Sequence, residues 1–166
     1  QFLKNFKKKF LIGINLEGAV KGKIIQFTDL KKICEGLYEL NKNIEIIVLN
    51  SPQREDSVRR EIAKINLDYL SQSCRTQTIL FSAAIIKKLD LIITPDTSIV
   101  HIASAFNKPV ITIHENNIDS YQLFAPLSSF NKTIFSKSKN SLQGFSVSLI
   151  IDAATELLKI EADNIS

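Results

Sequence analysis

The chain has 166 residues, enough for one domain with a sizeable core, and 45% of them are hydrophobic against 23% charged, the balance of a globular protein. Five glycines and four prolines exclude collagen-like and linker-like architectures, and no apolar run reaches the roughly 18–20 residues that a bilayer crossing needs. Lysine and arginine (21) exceed aspartate and glutamate (17) by four, a mild excess spread along the chain. That charge suits an anionic small ligand or an anionic membrane surface as well as nucleic acid. No RNA-binding aromatic signature and no zinc-finger spacing accompanies it, so nucleic acid is not an expected partner.

The N-terminal stretch, residues 1–9, is short and basic and runs into an apolar segment without the apolar core or cleavage site of a signal peptide. It reads as the remnant of a linker, with one domain over residues 10–166. Residues 10–16 form a strand-sized apolar run, followed by a loop over 17–26 that contains Gly22 between Lys21 and Lys23. Leu30, Ile33, Cys34, Leu37 and Leu40 then recur at helical spacing over 27–40. Residues 44–49 read as a second buried strand, 55–65 as a helix and 67–70 as a short third strand. A helix over 78–89, a strand over 90–94 that Pro95 ends, and a helix over 97–106 come next. Residues 110–113 and 132–136 are further strands, separated by a loop with a short helical turn, and 145–160 is an amphipathic helix. Cys34 and Cys74 belong to no paired motif and are expected to be reduced core thiols, as in a cytosolic protein.

Strands alternating with helices imply right-handed crossovers and a parallel sheet covered on both faces. The fold expected is therefore α/β, a Rossmann-like doubly wound, mostly parallel sheet, whose ligands lie at the carboxyl ends of the strands. That places attention on residues 17–26, 50–54, 94–98 and 114–119.

The segment Asp90-Leu-Ile-Ile-Thr-Pro-Asp-Thr-Ser-Ile-Val-His101 is the most informative. Asp96 is expected to cap the helix that follows, leaving the Thr97 and Ser98 amides and hydroxyls to hold a phosphate oxygen at the positive end of the helix dipole. His101, one turn further on, is expected at the same mouth. From spacing alone the same residues also read as an ordinary helix cap with a half-buried histidine. In the first loop Lys21, Gly22 and Lys23 suit a diphosphate, with Glu17 as a carboxylate for a sugar or ribose hydroxyl; two ordinary surface lysines are the alternative. Glu55 is a candidate ribose ligand, though the helix dipole alone explains a first-turn glutamate. His114 and Glu115 follow the strand that ends at Ile113, at the same edge as Asp96; His114, His101 and Asp96 show no short ligand spacing, so no metal site is expected.

The run from Asp90 through Ile113, DLIITPDTSIVHIASAFNKPVITI, resembles the donor-binding domain of glycosyltransferase family 9, the ADP-heptose lipopolysaccharide heptosyltransferases. Its Asp, Thr, His, small-residue and Pro positions match that family's signature, while Ser98 stands where the family has Gly. Lys23 falls at the position of a family lysine that contacts the nucleotide sugar, with Ile25-Gln26 in place of the usual Trp-Pro; Phe124-Ala125-Pro126-Leu127 resembles a Trp-x-Pro-Leu segment.

The resemblance implies the C-terminal half of a two-domain GT-B enzyme. Such an enzyme moves a sugar, a heptose, from a nucleotide diphosphate carrier such as ADP-heptose to a lipopolysaccharide core or similar saccharide. It implies no cofactor beyond that donor substrate, and a catalytic base on an N-terminal acceptor domain of the same protein. It also implies a cytoplasmic place, peripheral at the inner face of the bacterial inner membrane. Lys23, Asp96, Thr97, Ser98 and His101 would then bind the donor. A non-catalytic Rossmann-like module for a nucleotide or a protein partner is the alternative.

Overall fold

A computed structural model describes residues 9–18, 20 and 22–165, with the side chains of 159–165 left aside. Six strands form one sheet: β1 (Phe10–Asn15), β2 (Ile44–Leu49), β3 (Leu70–Gln72), β4 (Leu91–Pro95), β5 (Val110–His114) and β6 (Asn131–Phe135). Their order is β3-β2-β1-β4-β5-β6, and every pairing is parallel. Six helices connect them: α1 (Phe27–Leu40), α2 (Glu55–Ile65), α3 (Ile79–Ile86), α4 (Ser98–Ala105), α5 (Ile118–Phe124) and α6 (Val147–Ile165), with a 3-10 turn over Pro52–Arg54.

The period-two geometry of the strands sorts the apolar residues into two cores. Ile12, Ile14, Ile46, Val48, Leu91, Ile93, Ile111 and Ile113 face one side, where Leu30, Ile33, Leu37, Val58 and Ala154 of α1, α2 and α6 cover them. Leu11, Ile47, Leu49, Ile92 and Val110 face the other, under Ile85 and Ile86 of α3 and Ile99 and Ala103 of α4. Strands buried on both faces read as continuous apolar runs, which is why the central strands stand out in the sequence. Gly13 of β1 admits Leu89 against the sheet: a Cβ there would lie 2.3 Å from Leu89 Cδ1.

Most elements lie within a residue or two of the sequence expectation, α3 ends at Ile86 rather than 89 and α6 runs to Ile165 rather than 160, and three of the differing boundaries have a local cause. The third strand lies at Leu70–Gln72 rather than 67–70, because residues 67–70 close a turn in which Leu70 N donates to Leu67 O at 3.0 Å; the Tyr69 ring stacks on Tyr38, centroids 3.9 Å apart. Pro95 is the last residue of β4 rather than the residue after it: β1 stops pairing at Ile14↔Ile93, so the amide that proline lacks is not needed there, and Asp96 N continues the pairing to β5 by donating to Ile113 O at 3.3 Å. The C-terminal helix begins at Val147 rather than 145, after a turn closed by Phe145 N donating to Leu142 O.

Cys34 is buried, and burial pushes its thiol up to about 12. Cys74 is exposed on the segment after β3 and is therefore not a core thiol; both cysteines are free. No described helix is long and apolar enough to cross a membrane. Residues 1–8, most of the expected linker, lie outside the described residues, while Lys9 is tied to the domain by an ion pair of 3.0 Å to buried Glu45.

Candidate donor-binding site

The strand order reverses between β1 and β4, the place where open parallel sheets leave a crevice at their carboxyl ends. A cavity of about 560 Å³ opens there. Asn15, Glu17 and Gly18 from the end of β1 line it, with Leu49, Asn50 and Ser51 after β2. Thr76 to Ile79 and Ser82 at the start of α3 form another wall, and Thr97, Ser98 and Ile99 close it from α4. Four separate segments thus converge on one mouth because the parallel topology delivers all their strands to the same edge.

The loop after β1 is held in a tight hairpin. Glu17 and Ile24 form an antiparallel bridge, Gly18 N donates to Lys23 O at 2.5 Å, and Ile25 N donates to Leu16 O at 2.9 Å. Gly18 is the glycine that this closure requires, since a Cβ there would lie 2.3 Å from Lys23 Cβ and 2.5 Å from Lys23 O. Gly22 has φ +99°, so its role is the turn itself. It does not line the cavity, and Lys21 lies outside the described residues.

The hairpin carries Lys23 inward. Its ammonium sits 2.9 Å from Glu115 Oε2 and 3.5 Å from Asp96 Oδ2, with all three side chains about nine-tenths buried. Loops after β1, β4 and β5 are thereby joined through one cation. Asp96 does not cap α4. The cap is Thr97, whose hydroxyl accepts from Ile99 N at 3.0 Å. The reason is geometric: with β4 extended through Pro95, the helix starts one residue later, and the Asp96 carboxylate turns to Lys23. Ser98 stands at the cavity wall. His101 is exposed and lies on the outer side of α4 toward Phe124, ring centroids 6.5 Å apart, so it does not line the cavity.

Behind the cavity wall Glu17 Oε1 lies 3.6 Å from Nη1 of Arg54, which does not itself line the cavity. Both atoms are buried without a hydrogen-bond partner among the described residues, so the pair is a charge contact without hydrogen-bond geometry. Arg54 also lies over the Phe27 ring, 5.9 Å from its centroid. Glu55 is engaged elsewhere, with Arg59 at 2.9 Å and Arg75 at 3.6 Å, as a first-turn glutamate with helix and loop cations. His114, at the end of β5, packs edge-on against Tyr121 and beside Phe135, with Nε2 buried and lacking a partner among the described residues. Burial holds its imidazole below the usual histidine range and Lys23 adds to that, while Asp96 and Glu115 oppose it. No group of three His, Cys, Asp or Glu side chains among the described residues is placed to hold a metal ion.

The sequence profile of glycosyltransferase family 9 (heptosyltransferase) matches residues 6–147. The chain belongs to this family. Glycosyltransferase family 9 also supplies solved structures of like fold. An ADP-heptose lipopolysaccharide heptosyltransferase II from E. coli superposes with a TM-score of 0.80 at 15% identity, over 96% of this chain and 50% of that one. A family 9 glycosyltransferase from Veillonella parvula gives 0.76 at 16%, over 95% and 49%. The E. coli heptosyltransferase WaaC solved with ADP gives 0.74 at 14%, over 90% and 45%. These likenesses establish the Rossmann-like fold of one GT-B half, and the chain spans about half the length of the structures it matches. None of the curated protein sequences matches it.

Of the residues that sequence reasoning singled out, Glu17, Thr97 and Ser98 line the cavity of this family 9 domain. Lys23 and Asp96 form the ion cluster beside it, and His101, Gly22 and Glu55 stand apart from the cavity wall. Sequence reasoning passed over Asn15 and Thr76, which carry no motif, and marked the loop over 50–54 without assigning a role to Asn50 or Arg54. It placed Glu115 after the strand that ends at Ile113 and gave it no role.

Proposed function

We propose that this family 9 chain is the donor-binding half of a glycosyltransferase that transfers a sugar, a heptose, from a nucleotide diphosphate carrier to a saccharide acceptor such as the lipopolysaccharide core. The observation that carries this reading is the cavity at the β1–β4 reversal, open between Glu17 and Ser98, in a chain that matches the family profile over residues 6–147. In this reading the nucleoside occupies the cavity between the loops after β2 and β3, where Asn50, Ser51 and Thr76 offer hydrogen bonds. The diphosphate points to the start of α4, where the helix dipole and the Ser98 hydroxyl face it.

In the transfer itself, an acceptor hydroxyl attacks the anomeric carbon and the bond from that carbon to the diphosphate oxygen breaks. The nucleoside diphosphate leaves with the electron pair, so negative charge grows on the phosphate oxygens, which is what the α4 terminus and Lys23 would stabilise. The acceptor and the base that takes its proton belong, in this proposal, to a second domain of the same protein, with the reaction at the inner face of the bacterial inner membrane.

Calorimetric titration of the chain with ADP and with ADP-heptose tests this. The expected result is that ADP binds and that the sugar tightens binding, with the gain from the sugar lost in Asp96→Ala. Binding of ADP without any contribution from the sugar identifies a non-catalytic nucleotide-binding module instead, and no binding of either ligand overturns both readings.

A further inference from the structure

Among the described residues, Lys23 is the cation that the loop after β1 delivers to the start of α4, and it arrives already engaged. Glu115 Oε2 lies 2.9 Å from its ammonium and Asp96 Oδ2 lies 3.5 Å away, in a cluster about nine-tenths shielded from water. Counted formally, one positive charge faces two negative ones. A nucleoside diphosphate approaching α4 therefore meets a surplus carboxylate rather than a free ammonium, and in a shielded site that surplus is felt strongly. The nearer of the two carboxylates is Glu115, which follows β5 and lies outside the strand-and-helix corner that holds Asp96, Thr97 and Ser98. His114 beside it brings no compensating charge, because burial favours its neutral form.

We propose that Glu115 sets the affinity of this site for diphosphates: it is the resident counter-ion of Lys23, and a donor's diphosphate must displace it to reach the ammonium. Glu115 is thus a positioning residue that acts through Lys23, and this rests on the cavity being the donor site. It follows that ligands differing only in phosphate respond differently to its removal. ADP competes with Glu115 for Lys23, whereas adenosine does not.

The test is calorimetric titration of the chain and of Glu115→Gln with ADP and with adenosine at one fixed ionic strength. Glu115→Gln is expected to tighten ADP by about tenfold, the cost of one charge-assisted hydrogen bond that no longer has to be displaced, and to leave adenosine unchanged. Adding Lys23→Gln to that variant is expected to abolish the gain, which a purely structural role for Glu115 would not produce. Glu115→Asp, which keeps the charge and shortens its reach, gives a smaller gain and serves if the glutamine variant does not fold. ADP bound equally or more weakly by the folded Glu115 variants, with adenosine still bound by all, overturns the proposal and leaves the donor site standing. If no form of the chain binds ADP or adenosine, both fall.

Discussion

The carboxamide of Asn15 donates to the hydroxyl of Thr94 at 3.0 Å, tying the end of β1 to the end of β4 where the strand order reverses. The same amide nitrogen donates to Glu17 O at 2.8 Å, and the Thr94 hydroxyl donates to Pro95 O at 2.8 Å. One buried side chain thereby fixes the two loops that form opposite sides of the cavity mouth. Asn15→Ala is expected to cost about 1–3 kcal/mol, because it leaves buried polar groups without partners. Urea unfolding measures that loss. Thr94→Val combined with it is expected to cost less than the sum of the two single changes, since each removes the same bond. Strict additivity would show that the bond is not what holds the mouth.

Thr97, not Asp96, caps α4, and the two roles separate by substitution. Thr97→Val keeps the shape and removes the hydroxyl that accepts from Ile99 N, so about 1 kcal/mol of stability is expected to go. Thr97→Ser keeps the oxygen and is expected to lose less than half as much. Thermal unfolding of the pair decides it: equal melting temperatures for the two variants would mean that the hydroxyl contributes nothing as a cap.

Two glycines in the loop after β1 are expected to fail differently. At Gly18 an added Cβ meets the Lys23 carbonyl oxygen at 2.5 Å, backbone that must move, so Gly18→Ala opens the hairpin that carries Lys23. A loss of about 1–3 kcal/mol is expected, together with weaker ADP binding. At Gly22 the nearest atom stands 3.9 Å away and only the φ of +99° is strained, so Gly22→Ala costs about 1–2 kcal/mol and leaves ADP affinity alone. Unfolding curves and ADP titrations of both variants check this; unchanged ADP binding in Gly18→Ala would detach the hairpin from the site.

The sheet was legible because its central strands are covered on both faces and so read as unbroken apolar runs; β2 lies at Ile44–Leu49 as the sequence predicts. Edge strand β3 was misplaced because two of its three residues, Ser71 and Gln72, are half-buried polar side chains that give no such run. In the site, Thr97 and Ser98 were legible as residues at the strand end because they are contiguous and follow a buried strand, whereas Asp96 turns to Lys23 and His101 lies away from the cavity. The far wall was not legible. Asn15, Asn50 and Thr76 are common polar residues on three separate segments, and only the parallel topology brings them to one mouth. Lys23 illustrates both sides: its place in the loop was readable, but its partner Glu115 comes from beyond β5, and no local pattern predicts a pairing of that range.

His114 gives the domain a pH-dependent stability whose sign is fixed by its surroundings. The residue is 2% exposed, its ring packs on Tyr121 and Phe135, and the charged groups around it are Lys23, Asp96 and Glu115. Desolvation, the largest effect, holds the folded imidazole below the ordinary value of 6.5. Above that value both folded and unfolded chains carry it neutral, and its contribution is fully present. As the pH falls below about 6.5, the unfolded chain takes up a proton that the folded one refuses, so stability drops until the lowered folded value is passed. The slope this one group adds is at most about 1.4 kcal/mol per pH unit. Urea unfolding at pH 7.5, 6.5 and 5.5 is therefore expected to show a steeper decline for the natural chain than for His114→Phe, which fills the same aromatic niche and binds no proton. Parallel declines in the two proteins would mean that the folded domain protonates His114 as readily as the unfolded chain does.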